Sequence, residues 1–334
     1  MSSKLTLSAA ILASCLDGII TDGKFDQPGL HLANDSRFLE THFSEPLTTY
    51  AVGWRDPEDL EATLQFLAPE VLVGRRFEFK KATNAEEFLS ETTDDLRSIG
   101  ADFKRVQYQG VDVTSRTFNR GLTEVIDLDN VTGTTWEQDS AARLLRRLRR
   151  NSVRRAFAAL TAAATNTNKV WGSSADPDQD VADDLETATT ASGIRPNRIL
   201  YGSGAWNLRR KSFRVQNTAG SNASARISLA DLATELMVDE IRVSRERYQS
   251  SASAKSEIVG LKEICFYADP MANTSDPSNI KRFVSLHDAN QGGGRVMVHR
   301  QQLSAKLVAI TVCHYENIVV TSTLGIRQIT ASAS

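Results

Sequence analysis

Between Asp139 and Asp176 the chain carries no acidic residue, and within that gap Arg143, Arg146, Arg147, Arg149, Arg150, Arg154 and Arg155 crowd into thirteen residues. The segment reads as one helix. Thr134 or Thr135 can serve as N-cap, with Glu137 or Gln138 three residues on as a capping box requires, and the helix continues to about Ala164. At 1.5 Å per residue, Trp136 to Ala164 makes a rod of roughly 44 Å, longer than most helices of globular domains. At 100° per residue, Arg147, Arg150 and Arg154 fall within about 40° of Arg143, while Ala141, Leu145, Leu148, Ser152, Ala156, Ala159 and Ala163 gather opposite. One face is an arginine stripe and the other is small and apolar. A charge run is ordinarily a solvated face, but seven like charges in thirteen residues repel one another, so the stripe implies an anionic partner. Nucleic acid or the acids of a neighbouring chain would both serve.

The rest of the composition bounds that reading. A chain of 334 residues can bury a substantial core. Its formal charge of −2 excludes a generally basic, nucleic-acid-coating surface, so any DNA contact has to be local. Cys15, Cys265 and Cys313 are odd in number and far apart, and the five histidines are scattered, which gives neither a disulfide framework nor a metal site. The apolar run Leu5 to Ala13, after the single Lys4, imitates a short secretory signal, and Leu12-Ala13-Ser14-Cys15 a lipoprotein box. We read it instead as an extended arm, because the run is short and nothing downstream looks secreted. No stretch approaches the roughly 20 apolar residues of a membrane span.

Along the chain, residues 1 to 50 lack sustained periodicity. Asp56 as N-cap, Pro57, Glu58 and Asp59 open a predicted helix over 57 to 67, with Leu60, Leu64 and Leu67 as its stripe. Val71 to Lys80 and Phe103 to Ser115 read as strands around a short helix at Ala85 to Ser98. This excursion is rich in charge (Arg75, Arg76, Lys80, Lys81, Lys104, Arg105) and poor in residues for a private core, so it would be stabilised by lying on another surface. Leu122 to Leu128 is a strand leading into the arginine helix. Beyond it, Asn166 to Asp180 reads as a polar loop. Its alternating aspartates fail as a calcium loop, since Val181 stands where glycine is needed and Thr187 where glutamate is. Helices are predicted over 181 to 191, 203 to 213 and 229 to 237. Strands are predicted over 197 to 202, 240 to 244, 264 to 268, 282 to 286, 295 to 299, 307 to 312, 318 to 321 and 326 to 329. Gly292-Gly293-Gly294 lacks the strand-to-helix context of a phosphate loop. The sum is an α+β protein without a βαβ rhythm. There is no nucleophile elbow, Walker loop, HExxH or dinucleotide fingerprint, so no catalytic residue, cofactor or metal site is read from the chain.

In order of elements the sequence resembles the major capsid proteins of tailed bacteriophages, the Hong Kong 97 fold. Gly193-Ile194-Arg195-Pro196-Asn197-Arg198-Ile199-Leu200-Tyr201-Gly202 followed by Ala205-Trp206 is similar to the start of their peripheral domain. His314-Tyr315-Glu316-Asn317-Ile318-Val319-Val320 followed by Gly325-Ile326-Arg327 is similar to their closing segment. The resemblance implies an N-terminal arm at 1–70, an E-loop at 71–120, a spine helix and peripheral domain at 121–225, an axial domain at 226–309, and a return to the peripheral domain at 310–334. It implies self-assembly as hexamers and pentamers into an icosahedral virion capsid in the host cytoplasm, around double-stranded DNA bound without sequence specificity, with portal and scaffolding proteins as partners and no membrane. Arg143, Arg147, Arg150 and Arg154 would then face DNA or a neighbouring subunit, and the basic residues of the E-loop would contact the next subunit. The short stretch before the E-loop leaves little room for a cleaved scaffolding segment. Lys80 and Lys81 are available for the covalent crosslink some members form, but no partner asparagine can be named, and no crosslink is expected. The alternatives are an encapsulin-type shell enclosing cargo enzymes, and a DNA-binding protein that lays the arginine helix in a groove.

Overall fold

The computed structural model describes residues 43–81, 96, 97, 99, 102, 103, 111–131, 133–216, 218, 220–287 and 294–333. The predicted helix at 85 to 98 lies almost wholly outside them, as do Lys104, Arg105, Gly292 and Gly293. Contacts divide the chain into two units: Met1–Gly53 with Phe118–Leu144 and Leu286–Tyr315, and Trp54–Thr117 with Leu145–Ser285 and Glu316–Ser334.

In the first unit, β12 (Val296–Gln302) pairs antiparallel with β13 (Leu307–Val320), from Val296 opposite His314 to Gln302 opposite Val308, and β4 (Phe118–Asp127) also pairs with β13. β13 is one long strand where the sequence suggests two short ones, because His314, Glu316 and Asn317 are polar enough to break an apolar run without breaking a ladder. Gly121 lets β4 come close: a Cβ there would stand 2.9 Å from Cys313 Cβ. Helix α1 (Glu45–Gly53) is tied to β12, where the Val298 amide donates to Thr48 Oγ1 at 3.1 Å and the Ser44 amide donates to the Val298 carbonyl.

The second unit is built on a five-stranded sheet in the order β5 (Thr165–Val170), β14 (Arg327–Ser332), β10 (Lys262–Phe266), β6 (Arg198–Gly202), β7 (Glu240–Ser244). The period-2 alternation of the strands gives it two apolar faces. Leu200, Ile264 and Phe266 pack with Leu60, Leu64 and Leu67 of α2 (Leu60–Leu67) and with Val153, Phe157 and Leu160 of α3 (Trp136–Ala163). Ile199, Tyr201, Cys265 and Ile329 turn to the other side. There they meet α4 (Pro177–Ser192), α5 (Ser203–Gln216) and α7 (Leu229–Glu235), which follows the short α6 (Ser221–Ser224). A small aromatic core of Phe77, Phe79 and Phe283, with Phe77 and Phe283 centroids 4.3 Å apart, joins β2 (Arg76–Lys81) to β11 (Ile280–Ser285). β1 (Glu70–Leu72) lies parallel to β11. The single strand expected over 71 to 80 is therefore two strands with a break at 73–75. β2 pairs antiparallel with β3 (Val111–Arg116), and the small hairpin β8 (Arg247–Gln249) and β9 (Lys255–Glu257) completes the unit.

Local chemistry explains most boundaries. α4 is capped by Asp176, whose side chain accepts from the Asp178 and Gln179 amides, and ends at Gly193 with φ +72°. α2 begins three residues later than the sequence suggests. Asp56 closes a turn, its carbonyl accepting from the Asp59 amide, and Asp59 adopts φ 52°, a left-handed conformation that aspartate tolerates. The expected loop at 166–180 contains all but the first residue of β5, whose threonines alternate with turn-forming asparagines and whose strand is held by its parallel ladder to β14.

One buried carboxyl stands out in the second apolar face. Glu263, fully buried on β10, lies opposite Tyr201 of β6 and Ile329 of β14. Burial, reinforced by the charge of Asp184, pushes its carboxyl well above the ordinary value of 4.5. The unfolded chain ionises this group above that value while the folded chain keeps the proton, so the contribution of Glu263 to stability is complete at low pH and erodes as pH rises. Replacing Glu263 by glutamine is expected to flatten that dependence, whose limiting slope for one proton is about 1.4 kcal/mol per pH unit. Urea titrations at pH 5, 7 and 8.5 that show equal slopes for both proteins would refute it.

Candidate assembly surface: the arginine helix and the β2–β3 ribbon

The arginine helix forms as expected, and the structure reveals what its charge meets within the chain. In the first unit, exposed Arg143 pairs with Glu124 of β4 at 3.1 Å, and Ser140 donates to the same carboxylate. In the second unit, acids at and before the start of α2 lie against the helix. Arg150 pairs with Glu58 at 2.6 Å, Arg149 with Glu61 at 3.3 Å, and Arg146 with Asp56 at 3.6 Å. The indole of Trp54 faces both Arg146 and Arg149, 5.9 and 5.3 Å from its ring centroid. Arg155 and Ser152 both donate to Glu316 Oε1 at 2.8 Å, and Ser152 is wholly buried in what would otherwise be an apolar seam. Asp139, four residues before Arg143, is the one acid at i±4 of the seven arginines, and neutralisation arrives instead from elements distant in sequence. Of the four stripe residues, Arg154 has only the Tyr248 ring, 3.8 Å away, and Arg147 has no ionic partner among the described residues.

Behind this surface lies a buried ionic chain the sequence did not reveal. Arg282, on an interior strand and 6% exposed, holds Glu61 at 2.7 Å and Glu70 at 2.5 Å, and Glu61 passes the contact on to Arg149. Burial pushes Glu61 up, but Arg282 first and Arg149 second outweigh it and hold its carboxyl below the ordinary range. Burial alone would depress Arg282, yet Glu61, Glu316 and Glu70 together raise it. The residues involved come from α2, β1, α3, β11 and β13, and no local pattern in any of them signals the others.

The other basic residues singled out in the sequence divide in two. Arg76, Lys80 and Lys81 lie on β2, with Arg76 opposite Arg116, Lys80 opposite Asp112 and Lys81 opposite Val111; exposed Arg75 precedes the strand, its carbonyl accepting from the Thr117 amide at 3.0 Å. Lys104 and Arg105 lie outside the described residues. Phe77 and Phe79 anchor one face of the β2–β3 ribbon, and the other face presents Arg76, Glu78 and Lys80. An open groove is lined by Arg76, Phe77, Glu78, Thr114, Ser115 and Arg116. Among the described residues, β2 and β3 pair only with each other, no group of three His, Cys, Asp or Glu is placed to hold a metal, and no helix is long and apolar enough to cross a membrane.

No family model matches the sequence, and no curated protein matches it. Solved structures do. A phage-related protein from Bordetella bronchiseptica RB50 is 18% identical and superposes with a TM-score of 0.63, covering 88% of this chain and 99% of that one. A chain of Mycobacterium phage Bobi gives 12% identity and a TM-score of 0.49, covering 81% of this chain and 91% of that one. The putative capsid protein of a prophage of E. coli CFT073 gives 11% and 0.47, covering 87% and 99%. The first of these likenesses shows that the chain shares the α+β fold of that phage-related protein, and its order of ribbon, long helix, five-stranded sheet and returning C-terminal strand is the order expected of a Hong Kong 97-type subunit.

Proposed function

We propose that this protein is the major capsid protein of a tailed phage or prophage, which assembles as hexamers and pentamers into a closed shell around double-stranded DNA. The observation that carries the reading is the fold, matched over nearly the full length of a phage-related protein. The β2–β3 ribbon supports it. A two-stranded ribbon is marginal in water, and this one is anchored on one face while its other face carries charge that a neighbouring subunit would cover. In this role the protein is a structural component of the virion, assembled in the host cytoplasm with portal and scaffolding proteins, and it performs no catalysis. The arms and domains follow the 1–70, 71–120, 121–225, 226–309 and 310–334 division.

The ion pairs refine the part given to the arginine stripe. Arg143 and Arg150 serve the subunit's own structure, which leaves Arg147 and Arg154 to meet DNA phosphates or a neighbour's acids, without base specificity. Electron micrographs of the purified protein are expected to show closed particles, or rings that convert to them, with nucleic acid inside particles recovered from infected cells. A protein that stays monomeric at every concentration, with and without a scaffolding factor, would overturn the proposal. Particles that enclose protein cargo and exclude DNA would favour an encapsulin-type compartment.

A further inference from the structure

Among the described residues, a second basic surface without an ionic partner lies on α5. This 14-residue helix contains no acid. Its Arg209 turns inward to Asp178, but Arg210, Lys211 and Arg214 have no ionic partner among the described residues. Arg210 and Arg214 are one turn apart, a like-charge spacing that destabilises an isolated helix. Val215, 64% exposed, follows Arg214 in the chain and lies one turn from Lys211. The same unit carries the converse on α7. Asp231 and Glu235 are exposed and one turn apart, and among the described residues neither meets a cation and Asp231 meets only the capping Ser228. The two pairs do not meet each other within the chain.

We propose that the α5 face of one copy docks on the α7 face of another, with Arg210 and Arg214 opposite Asp231 and Glu235. Both pairs have side chains about 5–6 Å apart along a helix, so two cations can face two anions in a single register. The two surfaces are different patches of one chain, so the contact can repeat head-to-tail, and where its rotation closes it makes a ring or a larger closed array. Nucleic acid is the less favoured occupant. It would leave Asp231 and Glu235 unmatched, and Val215 is an apolar contact that a phosphate backbone does not use. This inference deepens the shell reading and rests on it for the closed form of the array, but not for the contact itself.

The test is a charge swap followed by sedimentation velocity and electron microscopy. The pair Arg210→Glu with Arg214→Glu, and separately Asp231→Arg with Glu235→Arg, are each expected to lower the associated fraction at least tenfold. All four changes together are expected to restore it to within twofold of wild type. Unchanged melting temperatures check that the monomer still folds; should a reversed pair melt early, Arg210→Gln with Arg214→Gln reads the same loss. Single reversals that associate like wild type overturn the contact, as does a combined variant that fails to recover. Reversals that form normal particles but release their DNA overturn it in favour of phosphate. Restored association in the swap without any closed particle supports the contact and counts against the shell reading alone.

Discussion

Replacing Arg209 by methionine is expected to lower the free energy of unfolding by about 3–5 kcal/mol, measured by urea denaturation near pH 7. The side chain is wholly buried, its Nε and Nη2 reach the two oxygens of Asp178 at 2.5 and 2.6 Å, and Nη2 also donates to the Ser224 carbonyl at 3.2 Å. Its guanidinium lies 4.8 Å from the ring centroid of Trp206 and 5.2 Å from that of Phe213. One residue thereby ties α5 to the first turn of α4 and the end of α6. Without it, Asp178 is left at 14% side-chain exposure with only the helix dipole for compensation, worth about 0.3–1 kcal/mol and too little to offset a stranded carboxylate. Lysine should rescue poorly, since a single ammonium cannot make the bidentate contact or stack between two rings. Removing both charges, with Asp178→Leu added, should recover most of the loss. A single-variant loss below about 1 kcal/mol would show that the pair is solvated in a way its burial denies.

Arg282→Met is expected to cost a similar amount, again about 3–5 kcal/mol at neutral pH, for a related reason with a distinct signature. Arg282 is the central cation for Glu61 and for Glu70, whose side chain is only 10% exposed. Glu61 is held below the ordinary carboxylate range, so its stabilising contribution is present above that range and is lost as pH falls through the folded-state value. The difference between wild type and variant should therefore shrink below about pH 4, where protonation removes what Arg282 neutralises. A difference that stays constant from pH 7 to pH 3 would mean that the arginine acts through packing alone.

Much of the architecture was legible in the sequence because it rests on local rules. The arginine helix announces itself by its 3.6-residue periodicity and ends at Ala163, one residue from the expected end. Strands such as Glu240–Ser244 carry alternation and β-branched residues, and α4 carries an aspartate cap and a glycine stop. The strand Thr165–Val170 was hidden because its Thr-Asn-Thr-Asn pattern is that of a loop, and only the parallel ladder with β14 makes it a strand. The 14-residue β13 was hidden for the complementary reason, that tertiary pairing carries a ladder through polar residues that interrupt an apolar pattern.

The counter-charges were the least legible. Glu58 and Glu61 lie about 90 residues before the arginines they meet, and Glu316 lies 161 residues beyond Arg155. Nothing in a sequence window relates them. Arg209 and Arg210 are adjacent and chemically identical, yet one is a buried tie and the other has no ionic partner among the described residues, a distinction made by which side of α5 faces the sheet.

By itself, then, the sequence determined where positive charge is concentrated, which segments are helical, and the order of elements that resembles a capsid subunit, since all three follow from residue spacing and local backbone preference. Only the tertiary structure decided which of those charges are neutralised within the chain. Coulomb attraction depends on distance in space, and folding brought acids of β4, α2 and β13 to the arginine helix while leaving Arg210, Lys211 and Arg214 of α5 without an ionic partner among the described residues.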